Sequence, residues 1–237
     1  MGASELIGGD GSAGVLAGAT AAVDPLRGAQ RVSLSPLDTK DLQGNLLGHY
    51  RTVCISGSLV SIGTGGILFS ARWAGPLPPI AVITRIQASV EVLTAITVAT
   101  PFNFEAIGYK NYTAADTGGG AITPTKMRGN MSASSFADFR MATTVALTAG
   151  TRTLDSVGFG YASMPPKVST DVGATATTTL AAGEGSPMYD IYKWEPGGHP
   201  LILGVSEGFA VRESIAGPTT GTYRVTFVIE HCELTAF

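Results

Sequence analysis

Charged side chains are scarce in this sequence. Asp, Glu, Lys and Arg together make up 14% of the 237 residues, against about 25% in an ordinary soluble domain. The net charge is -3, and Lys and Arg form no block. Because binding to duplex DNA requires clustered Lys and Arg to neutralise phosphates, we expect no direct nucleic-acid binding. A coat of Thr and Ser would explain such a surface, but we favour burial of part of it against other subunits.

Cysteine and histidine are equally scarce. The two cysteines, Cys54 and Cys232, both fall in strand-like runs. We expect buried free thiols, with a single disulfide as the alternative if the two strands adjoin. The three histidines, His49, His199 and His231, are widely spaced, and no His/Cys pair has the spacing of zinc ligands. The sequence therefore predicts neither a metal nor a cofactor.

Long apolar runs and nucleotide-binding motifs are also missing. Residues 13–23 are apolar but too few to span a bilayer. The N-terminus lacks the basic segment and apolar core of a signal peptide, so we expect synthesis in the cytoplasm and no membrane partner. Residues 9–14, GDGSAG, match G-x-G-x-x-G, but the eight residues before them are too few for the strand that a dinucleotide site requires.

Alternating strands dominate what is present. In residues 222–234, TYRVTFVIEHCEL, Tyr223, Val225, Phe227 and Ile229 share one face, which is a strong strand signal. Further strands are predicted within residues 49–60, 65–74, 81–100, 102–112, 136–148, 154–164, 187–195 and 208–215. About eight to ten strands without an amphipathic helix predict an all-β fold: a two-sheet antiparallel sandwich of jelly-roll type with an extended N-terminal arm.

The chain divides into an arm and a domain. Residues 1–45 are rich in Gly, Ala, Ser and Asp and lack any sustained periodicity, so we predict an extended arm there and a β-sandwich domain over 46–237. Within the arm, residues 31–37, RVSLSPL, are compatible with a short edge strand. Two long loops, 113–135 and 165–187, are expected to be functional or ordered by a partner.

Residues 204–208, Gly-Val-Ser-Glu-Gly, spell G-x-S-x-G, the nucleophile-elbow pattern of serine hydrolases. Glu213 and His231 follow Ser206 in the order that acid and base take in such enzymes. An elbow requires a helix directly after the serine, because the helix N-terminus helps to form the oxyanion hole. The residues after Gly208 instead alternate like a strand. We therefore expect a glycine-flanked bend or bulge before the last hairpin.

Aromatic residues near position 190 suggest a second hypothesis. Tyr189, Tyr192 and Trp194 are candidates for a platform on which a sugar ring stacks. Tyr189 and Tyr192 have opposite parity, so at most part of the set shares a face of a strand. We favour a role in the core or in a subunit interface.

The C-terminal part of the sequence, YDIYKWEPGGHPLILGVSEGFAVRESIAGPTTGTYRVTFVIEHCEL, contains G-F-x-V-R, then a Gly/Pro turn, then a last strand ending in Glu. On these features the chain resembles virion structural proteins of tailed bacteriophages, namely jelly-roll capsid decoration (cement) proteins and related head proteins. The resemblance covers mainly residues 49–237. It implies a non-enzymatic homotrimer in the virion that contacts other capsid subunits through its arm and long loops.

Two alternatives stay open from the sequence. One is a head-fibre or tail module that binds a receptor or glycan through the 165–187 loop and the Tyr/Trp set. The other is a serine hydrolase that uses Ser206. The resemblance involves no catalytic motif, so no residue is assigned a catalytic, cofactor-binding or metal-ligating role.

Overall fold

Strands make up all the regular structure in the described part of the chain. The computed structural model describes residues 46–73, 79–98, 100–167, 187–195 and 198–235. In chain order the strands are β1 (Leu46–Ile55), β2 (Ile67–Trp73), β3 (Ile80–Thr94), β4 (Thr100–Lys110), β5 (Gly120–Ala121), β6 (Phe136–Met141), β7 (Thr153–Leu154), β8 (Gly160–Lys167), β9 (Tyr189–Lys193), β10 (Leu201–Leu203), β11 (Gly208–Glu213) and β12 (Thr222–Leu234). Within these ranges, no helix is long and apolar enough to cross a membrane.

The strands form two antiparallel sheets packed against each other. The five-stranded sheet has the order β1-β12-β3-β10, and β9 also pairs with β3. The seven-stranded sheet has the order β5-β6-β2-β11-β4-β7, and β8 also pairs with β4. Strands β1 to β4 alternate between the two sheets, and so do β11 and β12. The predicted two-sheet sandwich is confirmed.

The pairing of early with late strands makes this sandwich a jelly roll. β1 pairs with β12, β2 with β11, β3 with β9 and β10, and β4 with β8. The chain is therefore one long antiparallel hairpin rolled up on itself. This rolling places β3 beside β12 in the five-stranded sheet and β4 beside β11 in the seven-stranded sheet. This is the jelly-roll arrangement that the sequence predicted.

Aromatic side chains join the two sheets in the core. Phe227 of the five-stranded sheet meets Phe69 and Phe104 of the other sheet, with ring centroids 6.3 and 5.6 Å apart. Phe69 also contacts Phe139 and Phe209 within its own sheet. Burial of each Phe stabilises the fold by about 1.5–3 kcal/mol. Edge-to-face contacts add about 0.5–1.5 kcal/mol per pair.

The predicted alternation is confirmed on the core side of β1 and β12 but is incomplete for β2. In β2 the residues predicted to share the core face are buried, yet Leu68 and Ser70 on the opposite face are fully buried as well. The cause is the chain between β4 and β8, which folds back over the outer face of the seven-stranded sheet. Tyr112 shows this covering: its ring lies under the Arg72 guanidinium, whose carbon is 5.5 Å from the ring centroid, and its hydroxyl meets Ser70 on the same outer face of β2.

The 113–135 loop is attached to its own domain at several places. Residues 120 and 121 form β5 and pair with β6. Lys126 forms an antiparallel bridge with Tyr50 of β1. The order of this loop therefore has an intramolecular source. The predicted arm over residues 1–45 and most of the 165–187 loop lie outside the described residues.

Candidate functional site

Ser206 lies in a tight turn between β10 and β11. The turn is closed by Glu207 N–H, which donates to Gly204 O (3.1 Å), and by Gly204 N–H, which donates to the Glu207 carboxylate (2.8 Å). Ser206 adopts a left-handed φ of 64°. No helix follows: β11 begins at Gly208. The predicted glycine-flanked bend is what the structure contains.

Gly208, the last glycine of the G-x-S-x-G pattern, has a packing role. A Cβ on Gly208 would collide with the backbone carbonyl of Ala71 on the neighbouring β2. Only glycine allows β11 to approach β2 this closely at its first residue. This glycine is therefore explained without an active site.

Glu213 is too far from Ser206 to act with it. The two residues lie before the start and at the end of β11, and Gly208 and Glu213 alone are separated by about 17 Å of strand. Glu213 points into the core, where it accepts a hydrogen bond from Tyr223 Oη (2.5 Å). Burial raises the pKa of Glu213 to about 7, although the Tyr223 hydrogen bond lowers it. Sequence alternation places Glu213 on the Phe209–Val211 face but does not reveal the Tyr223 partner.

His231 is fully buried where β12 pairs with β1 and β3. Its ring stacks on Tyr50 with centroids 4.7 Å apart and meets the edge of Phe136 at 4.9 Å. Burial lowers the pKa of His231, although the nearby Glu233 carboxylate raises it. Burial alone would raise the pKa of Glu233, but the neighbouring His231 and Ser134 side chains and the Ser135 N–H, which donates to the carboxylate at 3.0 Å, hold it below its ordinary value.

Ser134, His231 and Glu233 meet in space, which sequence reasoning missed because Ser134 is nearly a hundred positions away. Ser134 Oγ lies 3.5 Å from His231 Nε2, and Glu233 Oε1 lies 3.8 Å from the same nitrogen. A serine-hydrolase relay requires serine and carboxylate on opposite ring nitrogens. His231 Nδ1 has no partner in the described part of the chain. The three residues therefore do not form a catalytic relay. Their contacts hold the loop before β6 against the end of the sandwich.

A buried ion pair holds the 111–152 segment onto the seven-stranded sheet. Arg152 and Asp116 are in direct contact, with side chains 3% and 0% exposed. The Arg152 guanidinium lies over the Tyr109 ring, 4.1 Å from its centroid. Asp116 also accepts a hydrogen bond from Gly150 N–H (2.7 Å). The pair has no sequence signal, because its partners come from separate turns of one long loop.

The two cysteines do not pair. Cys54 and Cys232 are buried free thiols, as the sequence predicted. Cys54 lies opposite Phe227 in the β1–β12 ladder, five positions from Cys232. Burial raises the pKa of Cys54 to about 12 and that of Cys232 to about 11. Among the described residues, no group of three His, Cys, Asp or Glu side chains is arranged to hold a metal ion.

The aromatic set near position 190 is structural. A register shift in the β3–β9 pairing places Tyr192 opposite Ile86 and Tyr189 opposite Ala88. Both tyrosines pack against the core cluster. The prediction that Tyr189 and Tyr192 lie on opposite faces of the strand is therefore wrong, because the bulge between them turns both side chains to the same face. Tyr192 Oη also accepts the Leu201 N–H (2.9 Å). These rings are not free to form a platform.

An open groove of about 530 Å³ crosses the outer face near β4, β8 and β11. Arg212 and Glu105 line it and pair with each other at 2.9 Å. Tyr161 contributes a ring that is 54% exposed, with its hydroxyl donating to Asn103 Oδ1 (2.7 Å). Arg212 and Glu105 therefore neutralise each other's charge, while Arg212 Nε has no hydrogen-bond partner among the described residues. The groove offers a ligand an aromatic ring beside this ion pair.

The edge of β1 is the second exposed feature. Among the described strands, β1 pairs with β12 alone, on one side, and its other side is covered in part by the bridge from Lys126 to Tyr50. Beyond that bridge, Val53 and Ile55 are each 54% exposed. Apolar side chains on an incompletely covered edge strand mark a place where another chain can pair.

No family model, no curated protein and no solved structure matches this chain.

Proposed function

We propose that this chain is a non-enzymatic structural protein of a virion, a capsid decoration protein or related head protein that forms trimers and contacts other shell subunits. The observation that carries the proposal is the exposed apolar edge of β1. Proteins that remain monomeric protect such edges with charges, proline or bulges. Jelly rolls are used by viral capsid domains, and also by lectins and cupins. The sequence resemblance favours the first of these uses.

The outer face of the five-stranded sheet supports burial against a neighbour. Its charges are matched by opposite charges: Arg51 pairs with Glu230 at 3.1 Å and Arg85 with Asp190 at 2.8 Å, and Arg224 lies opposite Glu91 in the β3–β12 ladder. Paired charges cost less to desolvate than isolated ones. A face with its charges neutralised in this way suits a permanent contact better than it suits recognition of a charged ligand.

The candidate catalytic residues support a non-enzymatic role. Ser206 and Glu213 lie at opposite ends of β11, and His231 is enclosed by aromatic rings. Each of them has a structural partner that accounts for its presence. Labelling by a fluorophosphonate probe that is lost in Ser206→Ala would contradict this part of the proposal.

Mass in solution tests the proposal directly. Light scattering of the full chain should give about three times 24.3 kDa, or a larger species. Val53→Asp should weaken association at least about tenfold, because it places a charge in the contact. Val157→Asp is the matched control, since Val157 is 75% exposed and lies in the loop between β7 and β8, which belong to the other sheet. A monomer at every concentration, or equal effects of the two variants, would contradict the proposal.

Glycan binding is the second candidate, and the groove beside Tyr161 favours it. A half-exposed ring next to a guanidinium and a carboxylate offers stacking together with donors and acceptors for sugar hydroxyls. Saturable binding on a glycan array that disappears in Tyr161→Ala would select this function. Binding that persists in that variant would place the sugar elsewhere.

A further inference from the structure

Alternate residues of β1 turn their backbone polar groups away from β12. Arg51 N–H donates to Thr125 O (3.0 Å), on the outer side of the strand. Because this direction alternates along an antiparallel strand, the N–H and C=O groups of Val53 and Ile55 point to the same outer side. Among the described residues, no group bonds to them there.

The free stretch is short and has defined limits. At one end the covering loop turns away, since Thr125 N–H donates to Thr52 Oγ1 (2.9 Å) and does not continue along the edge. At the other end β1 stops at Ile55, and Gly57 beyond it lies against the backbone carbonyl of Thr143. Residues 53–55 therefore form a gap in which one short strand fits.

The gap lacks the usual protections of an edge strand. Val53 and Ile55 project from the outer face, each 54% exposed, with the buried Val228 beside them in the ladder. Residues 53–55 contain no charge and no proline, and the ladder to β12 is regular from Gly48 to Ile55. The chemistry of the gap selects an extended peptide with apolar residues two positions apart.

The position of the covering loop limits which strand can enter. Residues 125–127 already bond to the outer edge of β1 at His49 and Arg51, directly beyond the gap. A strand that belongs to a rigid sheet, such as β1 of a second copy, would continue into these residues. A segment that ends or bends after three or four residues avoids the collision. The partner is therefore an arm-like segment.

We propose that residues 31–34 of a neighbouring copy add to β1 as a short antiparallel strand at residues 53–55. In the sequence RVSLSP, Val32 and Leu34 have the required spacing, and Pro36 ends the pairing because it has no N–H. The inference rests on the proposed assembly and identifies one contact through which neighbouring copies associate.

Antiparallel pairing satisfies all of the free groups with the fewest residues. Each residue of a hydrogen-bonded antiparallel pair exchanges both its N–H and its C=O with one opposite residue. Leu34 opposite Val53 and Val32 opposite Ile55 therefore complete four hydrogen bonds within three residues. Both apolar pairs then lie on the outer face of the sheet. Beyond Leu34 the connection to the neighbour's domain leaves the edge at the Val53 end, where Pro36 ends the pairing before the Arg51 position that Thr125 occupies.

Disulfide trapping between two full-length variants tests the contact. One protein carries Leu34→Cys and the other Val53→Cys, and they are mixed under mild oxidation. Opposite Cα atoms about 5.5 Å apart are within disulfide reach. We expect a disulfide-linked dimer at least about tenfold more abundant than in a mixture of Leu34→Cys with Val157→Cys, the exposed control in the loop between β7 and β8. Cys54 and Cys232 should not form disulfides under these conditions, because both thiols are buried.

A proline pair provides the second measurement. Leu34→Pro removes an N–H needed for pairing, while Leu26→Pro makes the same change outside the proposed strand. We expect at least about tenfold weaker association for the first and less than about twofold for the second. Both variants should keep the thermal midpoint of the domain.

The outcomes separate this inference from the proposed function. Trimers without the 34–53 disulfide, or equal effects of the two proline variants, overturn the inference and leave the assembly proposal standing. A monomer in the wild-type protein overturns both. A disulfide that forms only within one chain, when both cysteines are placed together, overturns delivery by a neighbour.

Discussion

Replacing Glu213 by Gln tests whether a carboxyl is held in the core. Glu213 is fully buried, its Tyr223 partner is buried as well, and a Cβ on Gly217 would lie 2.5 Å from Glu213 Oε1. Glutamine has nearly the same shape and still accepts the Tyr223 hydrogen bond. The substitution therefore removes the titration and leaves the packing largely in place.

The magnitude follows from the pKa of Glu213, which burial raises from 4.5 to about 7. Below pH 4.5 the carboxyl is protonated in both the folded and the unfolded chain, so the stabilisation is complete. Between pH 4.5 and 7 the unfolded chain loses its proton first, and the free energy of unfolding falls. The loss is complete above pH 7 and amounts to about 3 kcal/mol.

Urea unfolding at pH 4 to 8 and constant ionic strength measures this effect. The wild-type protein should lose about 3 kcal/mol more than Glu213→Gln across that range. His231 acts in the opposite direction: burial lowers its pKa, so it removes stability as the pH falls. Both proteins contain His231, and its contribution cancels in the difference. A difference that is constant with pH would refute the burial of an ionisable Glu213.

Tyr223→Phe provides an independent arm of the same experiment. The Tyr223 hydroxyl lowers the pKa of Glu213 through their hydrogen bond, so its removal should raise that pKa further. The fall in stability should then extend to higher pH than in the wild type. A profile that does not move to higher pH would mean that the hydroxyl does not stabilise the carboxylate.

Two further predictions concern packing. Arg152→Met should lower the free energy of unfolding by about 3–5 kcal/mol, because it leaves the buried Asp116 carboxylate without its partner. The double variant Arg152→Met with Asp116→Leu should recover part of this loss. If the costs of the two single substitutions simply add in this double-mutant cycle, the ion pair is contradicted. Gly208→Ala should cost about 1–3 kcal/mol by urea unfolding, because its methyl group would collide with the Ala71 carbonyl. Gly63→Ala, where a Cβ meets nothing within 4 Å, is the control and should change stability little.

Much of the fold could be predicted because strands carry a local signal. β12 alternates over more than eight residues, and the buried face read from its sequence is the buried face in the structure. The same alternation after Gly208 excluded a nucleophile elbow at Ser206, and the structure has β11 there. These inferences needed only the two-residue period of an extended backbone and the turn chemistry between strands.

Contacts between distant segments could not be predicted in the same way. The sequence gives no sign that His231 meets Ser134, or that Arg152 meets Asp116. The strand face predicted for Tyr192 was wrong, because a bulge in the β3–β9 pairing turns its side chain to the opposite face. A bulge is decided by the fit between two strands, and neither strand encodes it alone.

The sequence by itself determined the all-β class, the long strands and the turn at Ser206, since each depends on residues close together in the chain. The tertiary structure decided the rest: which polar groups the sandwich buries, which face the 111–152 segment covers, and where the cover over β1 stops. Loop closure costs little extra for longer loops, so a segment can cover a distant strand with no local trace. The open edge at residues 53–55 is a product of that long-range packing, and only the folded chain reveals it.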